Sequence, residues 1–273
     1  MRVSDPGVSW AVLDPRELAL RIRLRAVRMI APQGLGYLGQ ALSSAEQVAA
    51  VFASARPGVD RIVCSPGHYI IGPFAAAAEL GLTDVSGYGQ NGSAVEAIGT
   101  ERSPVVDYTC GSLGQGLSAA LGFALADRFR GCDARIFTMV SDGELEEGQV
   151  WEAALFAAHH RLDRLTVLLD ANNSQVDGPV DSITTLEPIA DKWSAFGWHV
   201  WDGDGHDGPA LSAALAAAGA ERGRPSVLVC RTSVRHGLDC LPPDADGHFI
   251  KLPPSLAAAA VAELTGKLEA LRA

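Results

Sequence analysis

Two short, mostly apolar runs, Arg135 to Val140 and Leu165 to Leu169, are each followed at once by a polar, loop-forming segment. This pairing constrains the fold more than any other feature of the chain. Each run is too short for a helix and reads as a strand buried on both faces. Between them, Gln149 to His160 has helical spacing. A strand–helix–strand unit of this kind crosses over right-handedly and brings both carboxyl ends to one edge of the sheet. The segments leaving that edge are Ser141-Asp142-Gly143-Glu144-Leu145-Glu146-Glu147-Gly148 and Asp170-Ala171-Asn172-Asn173-Ser174-Gln175-Val176-Asp177-Gly178. Open α/β sheets bind ligands at such an edge. Asp142 offers a carboxylate and Asn172 an amide oxygen, and with a nearby backbone carbonyl these are hard donors suited to Mg²⁺ or Ca²⁺. Either segment alone would serve equally well as a turn. The pair reads as a cation bridging a diphosphate to the protein, because Mg²⁺ commonly completes its octahedron with phosphates and water.

Further strands are expected at Asp60–Ser65, Phe196–Trp201 and Ser226–Arg231. Helices are expected over Asp14–Ile30, Pro209–Arg222 and Pro254–Leu271, and from Gly111-Ser112-Leu113-Gly114-Gln115-Gly116 to near Arg130. Ser43-Ser44-Ala45-Glu46 has the form of a capping box, which predicts another helix from there through Val51. Residues 82–110 read as loop. Strands alternating with helices predict a doubly wound, mostly parallel α/β sheet covered on both faces, as one domain over residues 1–273.

A formal charge of −10 repels nucleic acid and anionic membranes. A phosphate-bearing ligand must therefore be held locally, by backbone N–H groups, a metal or a few cations. Five cysteines without a CxxC pair read as reduced thiols of a cytoplasmic protein. No stretch approaches the roughly 18 apolar residues of a membrane span. No G-x-G-x-x-G follows an early strand, which sets aside a nicotinamide dehydrogenase.

The segment Asp142-Gly143-x-x-x-Glu147-Gly148, with Asn172-Asn173 thirty residues after Asp142, resembles the thiamine diphosphate motif, and its flanks resemble the transketolase family. The glycine-rich turn at 111–116, with Pro104, Asp107 and Thr109 upstream, is similar to that family's. So are Asp60-Arg61-Ile62 with Ser65-Pro66-Gly67-His68, and Arg231-Thr232 with Gly237 and Gly247-His248. The resemblance spans about residues 14–250. It implies thiamine diphosphate as cofactor, with Mg²⁺ (or Ca²⁺) held by Asp142, Asn172 and the Ser174 carbonyl. Gly143 would approach the diphosphate. His68 and His248 would contact the diphosphate or the reacting centre, as catalytic residues. Gly111, Leu113 and Gly114 would lie near the aminopyrimidine ring, and Glu147 would join a carboxylate network between subunits.

Two departures stand out. Tyr37, in Gly36-Tyr37-Leu38-Gly39, occupies a position where the family has histidine, and Glu96-Ala97-Ile98 stands where its Gly-His-Pro motif is expected. The resemblance therefore implies the cofactor site but altered sugar contacts. In this family the glutamate that meets the aminopyrimidine lies in a second domain, for which one helix after His248 leaves no room. A separate pyrimidine-binding partner subunit, in an α2β2 assembly, is therefore expected. The implied reaction transfers a two-carbon ketol unit from a ketose-like donor to an aldehyde-like acceptor. Two alternatives are the α subunit of a 2-oxo acid decarboxylase or dehydrogenase, and a cofactor-binding regulatory subunit without turnover.

Overall fold

A computed structural model describes residues 1–273. The chain opens with α1 (Pro15–Ile30), whose first turn is capped by Asp14 accepting from the Arg16 amide, with a proline at its start where no amide is needed. There follow β1 (Leu35–Gly36), α2 (Leu38–Ser54), β2 (Arg61–Pro66), α3 (Ile71–Glu79), β3 (Tyr108–Cys110), α4 (Gln115–Phe129), β4 (Ile136–Ser141) and α5 (Gly148–His159). The remainder is β5 (Leu165–Ala171), α6 (Val180–Ile183), α7 (Ile189–Ala195), β6 (His199–Asp204), α8 (Gly208–Ala220), β7 (Ser226–Arg231), β8 (Ile250–Lys251) and α9 (Pro254–Arg272).

Six strands form one sheet in the order β3-β2-β4-β5-β7-β6, and every pair is parallel. Side chains alternate across it as a strand's two-residue period requires. Ile62, Cys64, Phe137, Met139, Leu168 and Leu228 face a core shared with α1, α2, α3, α8 and α9. Val63, Ile136, Val140, Val167, Leu169 and Val227 face a second core under α4, α5 and α7. Apolar layers on both faces explain why these strands read as continuous hydrophobic runs, and they establish the expected doubly wound α/β fold. No helix is long and apolar enough to cross a membrane, and all five cysteines are free thiols.

The chain runs outward from β2 to β3 and then returns past β2 to β4, so the strand order reverses between β2 and β4. The carboxyl ends flanking this reversal form the crevice where such sheets hold ligands. β1 and β8 pair separately and antiparallel, tying the start of α2 to the segment just after His248.

Three local expectations need correction. α2 begins at Leu38, five residues before the expected capping box. Ser43 and Ser44 lie fully buried inside that helix, with Ser43 Oγ donating to Asp170 and Ser44 Oγ to the Gln40 carbonyl. Their hydroxyls serve a tertiary network and the preceding turn, and Glu46 pairs with Arg23 instead of reaching back to cap. The strand expected at Phe196–Trp201 runs from His199 to Asp204, because Phe196 closes α7. The loop expected over 82–110 ends in the short strand β3.

Candidate active site

The carboxyl ends of β4 and β5 emerge side by side, with Ser141 in register with Asp170. The Asp142 carboxylate is buried, yet it accepts only from two backbone amides, those of Gly143 at 2.8 Å and Asn173 at 2.6 Å. Burial, then the neighbouring Asp170 charge, pushes its pKa up to about 7. A cation at this carboxylate would remove that penalty. The Asn172 amide is fixed at its nitrogen end, which donates to Asp170 and to the Tyr69 hydroxyl, each at 2.8 Å. Its Oδ1 accepts from the Ser174 amide at 2.9 Å. Asp142 and Asn172 thus present hard oxygens at one edge, a donor set that fits a divalent ion bridging to a diphosphate.

His68 leaves β2 on the other side of the crevice, in a single 3-10 turn over Gly67–Ile70. His248 comes from the loop before β8, and the two imidazoles face each other with ring centroids 5.0 Å apart. Burial and then His248 drive the His68 pKa down to about 3, and burial also lowers that of His248. Both rings are therefore neutral at physiological pH. Gln40 Nε2 donates to His248 Nδ1 and to the His248 carbonyl, each at 3.1 Å. Two acceptors on one amide nitrogen fix the glutamine, so Nδ1 is unprotonated and the proton sits on Nε2. The Ser174 carbonyl hydrogen-bonds this ring and holds its pKa up. Close approach of the His248 loop to α2 depends on Gly39, since a Cβ there would stand 1.8 Å from the Gly247 carbonyl oxygen.

The glycine-rich turn closes a third side. Gly114 has φ +81° and its amide donates 2.6 Å to Glu144 Oε1. The same oxygen accepts from Ser65 Oγ at 2.6 Å, and Ser65 Oγ accepts in turn from the Gly116 amide. Gly116 packs against Ser65 so closely that a Cβ would lie 2.4 Å from its Cα. Glu144, from the 3-10 turn after β4, therefore ties the turn to both strands flanking the crevice. It is fully buried, its Oε2 has no partner, and burial raises its pKa to about 7. Gly111 is exposed, and the Leu113 carbonyl accepts from Gln149.

The structure thus brings His68, His248, Asp142, Gly143, Asn172 and Ser174 together, with Gly111, Leu113 and Gly114 beside them. Glu147 is exposed at the start of α5. Sequence reasoning missed Glu144 and Asp170. Glu144 stands at an unspecified position of the Asp-Gly-x-x-x-Glu-Gly segment. Asp170 is the one charged residue in the buried stretch of β5, and that isolation was an available signal. His206 and His236 stack at 3.5 Å away from this group, near Glu46. The Arg23 guanidinium grips both Glu46 oxygens, and His206 uses both ring nitrogens, toward Glu46 and the Ser233 amide. Arg23 and His206 thus occupy both Glu46 oxygens within that cluster.

Residues 16–263 match the family model described as transketolase, thiamine diphosphate binding domain. A transketolase family protein of Sinorhizobium fredii is 37% identical over 252 residues, covering 87% of this chain and 90% of that protein. The 6-deoxy-6-sulfo-D-fructose transketolase subunit SqwG of a Clostridium species is 37% identical over 265 residues, covering 92% and 96%. Transketolase from Campylobacter jejuni superposes with a TM-score of 0.82 at 24% identity, over 92% of this chain but 42% of that one, and shares the fold. The chain belongs to the transketolase family and carries its thiamine diphosphate-binding domain.

Proposed function

We propose that this chain is the diphosphate- and metal-binding subunit of a two-component transketolase, transferring a two-carbon ketol unit from a ketose-like donor to an aldehyde-like acceptor. The observation that carries the reading is the convergence of Asp142 and Asn172, at the ends of adjacent parallel strands, with His68 and His248 across the crevice. Asp142, Asn172 and the Ser174 carbonyl would hold Mg²⁺ or Ca²⁺, and Gly143 would let the diphosphate approach the backbone. Thiamine diphosphate supplies the carbanion chemistry when bound. The chain supplies binding, orientation and neutral hydrogen-bonding groups. His68 can donate to or accept from a substrate oxygen without carrying charge, while the Ser174 carbonyl holds the neighbouring His248 ring in place. A separate pyrimidine-binding subunit in an α2β2 assembly would complete the site, where Glu147 would join the interface. Relatives named as subunits support this. SqwG and one component of an apulose-4-phosphate transketolase from Actinobacillus succinogenes match this chain over 96% and 93% of their length.

Calorimetric titration of thiamine diphosphate with Mg²⁺ tests the reading, using the chain alone and co-assembled with its partner. Binding should require Mg²⁺, tighten with the partner by about tenfold or more, and weaken roughly a hundredfold in Asp142→Ala, about 2.7 kcal/mol. Absence of binding in both preparations would sink it.

A further inference from the structure

The sheet edge opposite the crevice carries a cleft to which cofactor binding gives no role. It lies between the loops entering β4 and β5, encloses about 280 Å³, and is lined by Arg128, Arg161 and Arg164. The carboxylates in its walls are already engaged. Asp127 accepts from Arg61 at 2.7 and 2.9 Å, Asp133 from Arg56 at 3.0 Å, and Asp163 from the Gly223 amide at 2.9 Å. The Arg128 guanidinium donates to the His160 carbonyl at 2.7 Å. Those of Arg161 and Arg164 meet neither a carboxylate nor any other acceptor, and Arg164 is half-buried. In a chain of net charge −10, this cleft gathers guanidiniums that have no acid partner.

Helix C-termini attract cations on their own account, and Arg128, in the last turn of α4, needs no other reason. Arg161 does. α4 and α5 end on one pattern, with Arg130 and His160 at φ −83° and −84°. The Gly131 and Arg161 amides each bond back three residues, and the Cys132 and Leu162 amides each bond back five. The residue that turns left-handed is Gly131 at φ +67° after α4, but Arg161 at φ +50° after α5. Glycine is usual there, because a Cβ is strained at positive φ. Since α4 closes the same turn with glycine, the helix end does not require an arginine at 161.

We propose that Arg161 and Arg164, with Arg128 beside them, form a second ligand site that takes the phosphate group of a small molecule. The planar guanidinium fork matches phosphate oxygens two at a time, and such charge-assisted bonds are stronger than neutral ones. The cleft is at the small end of the range for ligand pockets, which suits inorganic phosphate or a short phosphomonoester and not a nucleotide. Arg56 and Arg61 neutralise Asp133 and Asp127, so an incoming anion does not meet those carboxylates bare. The site shares no residue with the crevice and stands apart from the ketol-transfer reading.

The test uses the full chain without Mg²⁺, titrated calorimetrically at constant ionic strength with inorganic phosphate and, separately, with glycerol 3-phosphate. The wild type should bind at least one of them saturably. Arg161→Gly and Arg164→Ala should each raise the Kd about tenfold, the loss of one charge-assisted contact. Arg222→Ala, at an exposed arginine outside the cleft, should leave it unchanged. In phosphate-free buffer the melting temperature of Arg161→Gly should equal or exceed that of the wild type, since the strain at positive φ is relieved. Tighter binding of glycerol 3-phosphate makes a phosphomonoester the ligand, and tighter binding of inorganic phosphate makes it the free ion. Absence of saturable binding by either probe overturns the proposal. So does an unchanged Kd in both cleft variants, which would return Arg161 to the helix end. An equal loss in Arg222→Ala reduces the effect to net charge and overturns it as well.

Discussion

Asp142 and Asp170 sit on adjacent strands at the same edge of the sheet, both buried, yet their surroundings are opposite. Asp170 accepts five side-chain hydrogen bonds, from Ser43, Gln47, Tyr69, Asn172 and Thr232. These donors come from α2, the turn after β2, the loop after β5 and the loop after β7, so one carboxylate ties four parts of the fold together. Asp142 receives only two backbone amides and keeps lone pairs toward the crevice. A buried carboxylate whose lone pairs are all engaged stabilises structure, and one left short of donors carries an uncompensated desolvation cost. The difference separates the scaffold carboxylate from the proposed metal ligand more sharply than burial does.

The largest effect should follow from emptying the satisfied position. Asp170→Ala leaves Ser43, Gln47, Tyr69, Asn172 and Thr232 without their acceptor, and should cost about 3–5 kcal/mol in guanidinium unfolding. A loss below about 1 kcal/mol would erase the contrast.

Glu46 extends the comparison to a carboxylate satisfied by charge. Burial alone would raise its pKa, but Arg23 and His206 outweigh it and hold the carboxyl down to about 2. A folded-state pKa below the unfolded value means that the stabilisation is complete above about pH 4.5 and is lost as pH falls toward 2. Glu46→Gln should cost about 1–3 kcal/mol at pH 7 and flatten the acid limb of the stability curve between those values. An acid limb identical to that of the wild type would show that Arg23 and Glu46 do not stabilise each other.

The fold was legible because its signals are periodic. Continuous apolar strands such as Leu165–Leu169, punctuated by helices, can satisfy their backbone only in a covered parallel sheet. Asp142 and Asn172 were legible through local spacing around strand ends, whereas His68 and His248 were indicated only by the resemblance to the transketolase family. What failed were residues whose role is set by distant partners. Ser43 resembled a helix cap in isolation, but its hydroxyl is directed at Asp170, 127 positions away. Glu144 is an unspecified residue in its segment, and only the folded chain shows its Oε1 gripping Ser65 and Gly114. Tyr88 sits in a stretch with no periodicity, so nothing in the sequence indicated that its hydroxyl is buried.

The smallest stability change, and the most discriminating, should come from Asp142→Asn. The amide keeps the carboxylate's shape and one acceptor, so one backbone hydrogen bond is lost, at about 0.5–1.5 kcal/mol. Against that, a buried charge facing Asp170 disappears, which favours the variant. The two effects oppose each other, and net stability of the metal-free chain should stay within about 1 kcal/mol of the wild type. Mg²⁺-dependent binding of thiamine diphosphate should nevertheless weaken sharply, because the amide removes the only full negative charge in the proposed ligand set. A stability loss matching that of Asp170→Ala would make Asp142 a scaffold residue, and the two aspartates would no longer differ in kind.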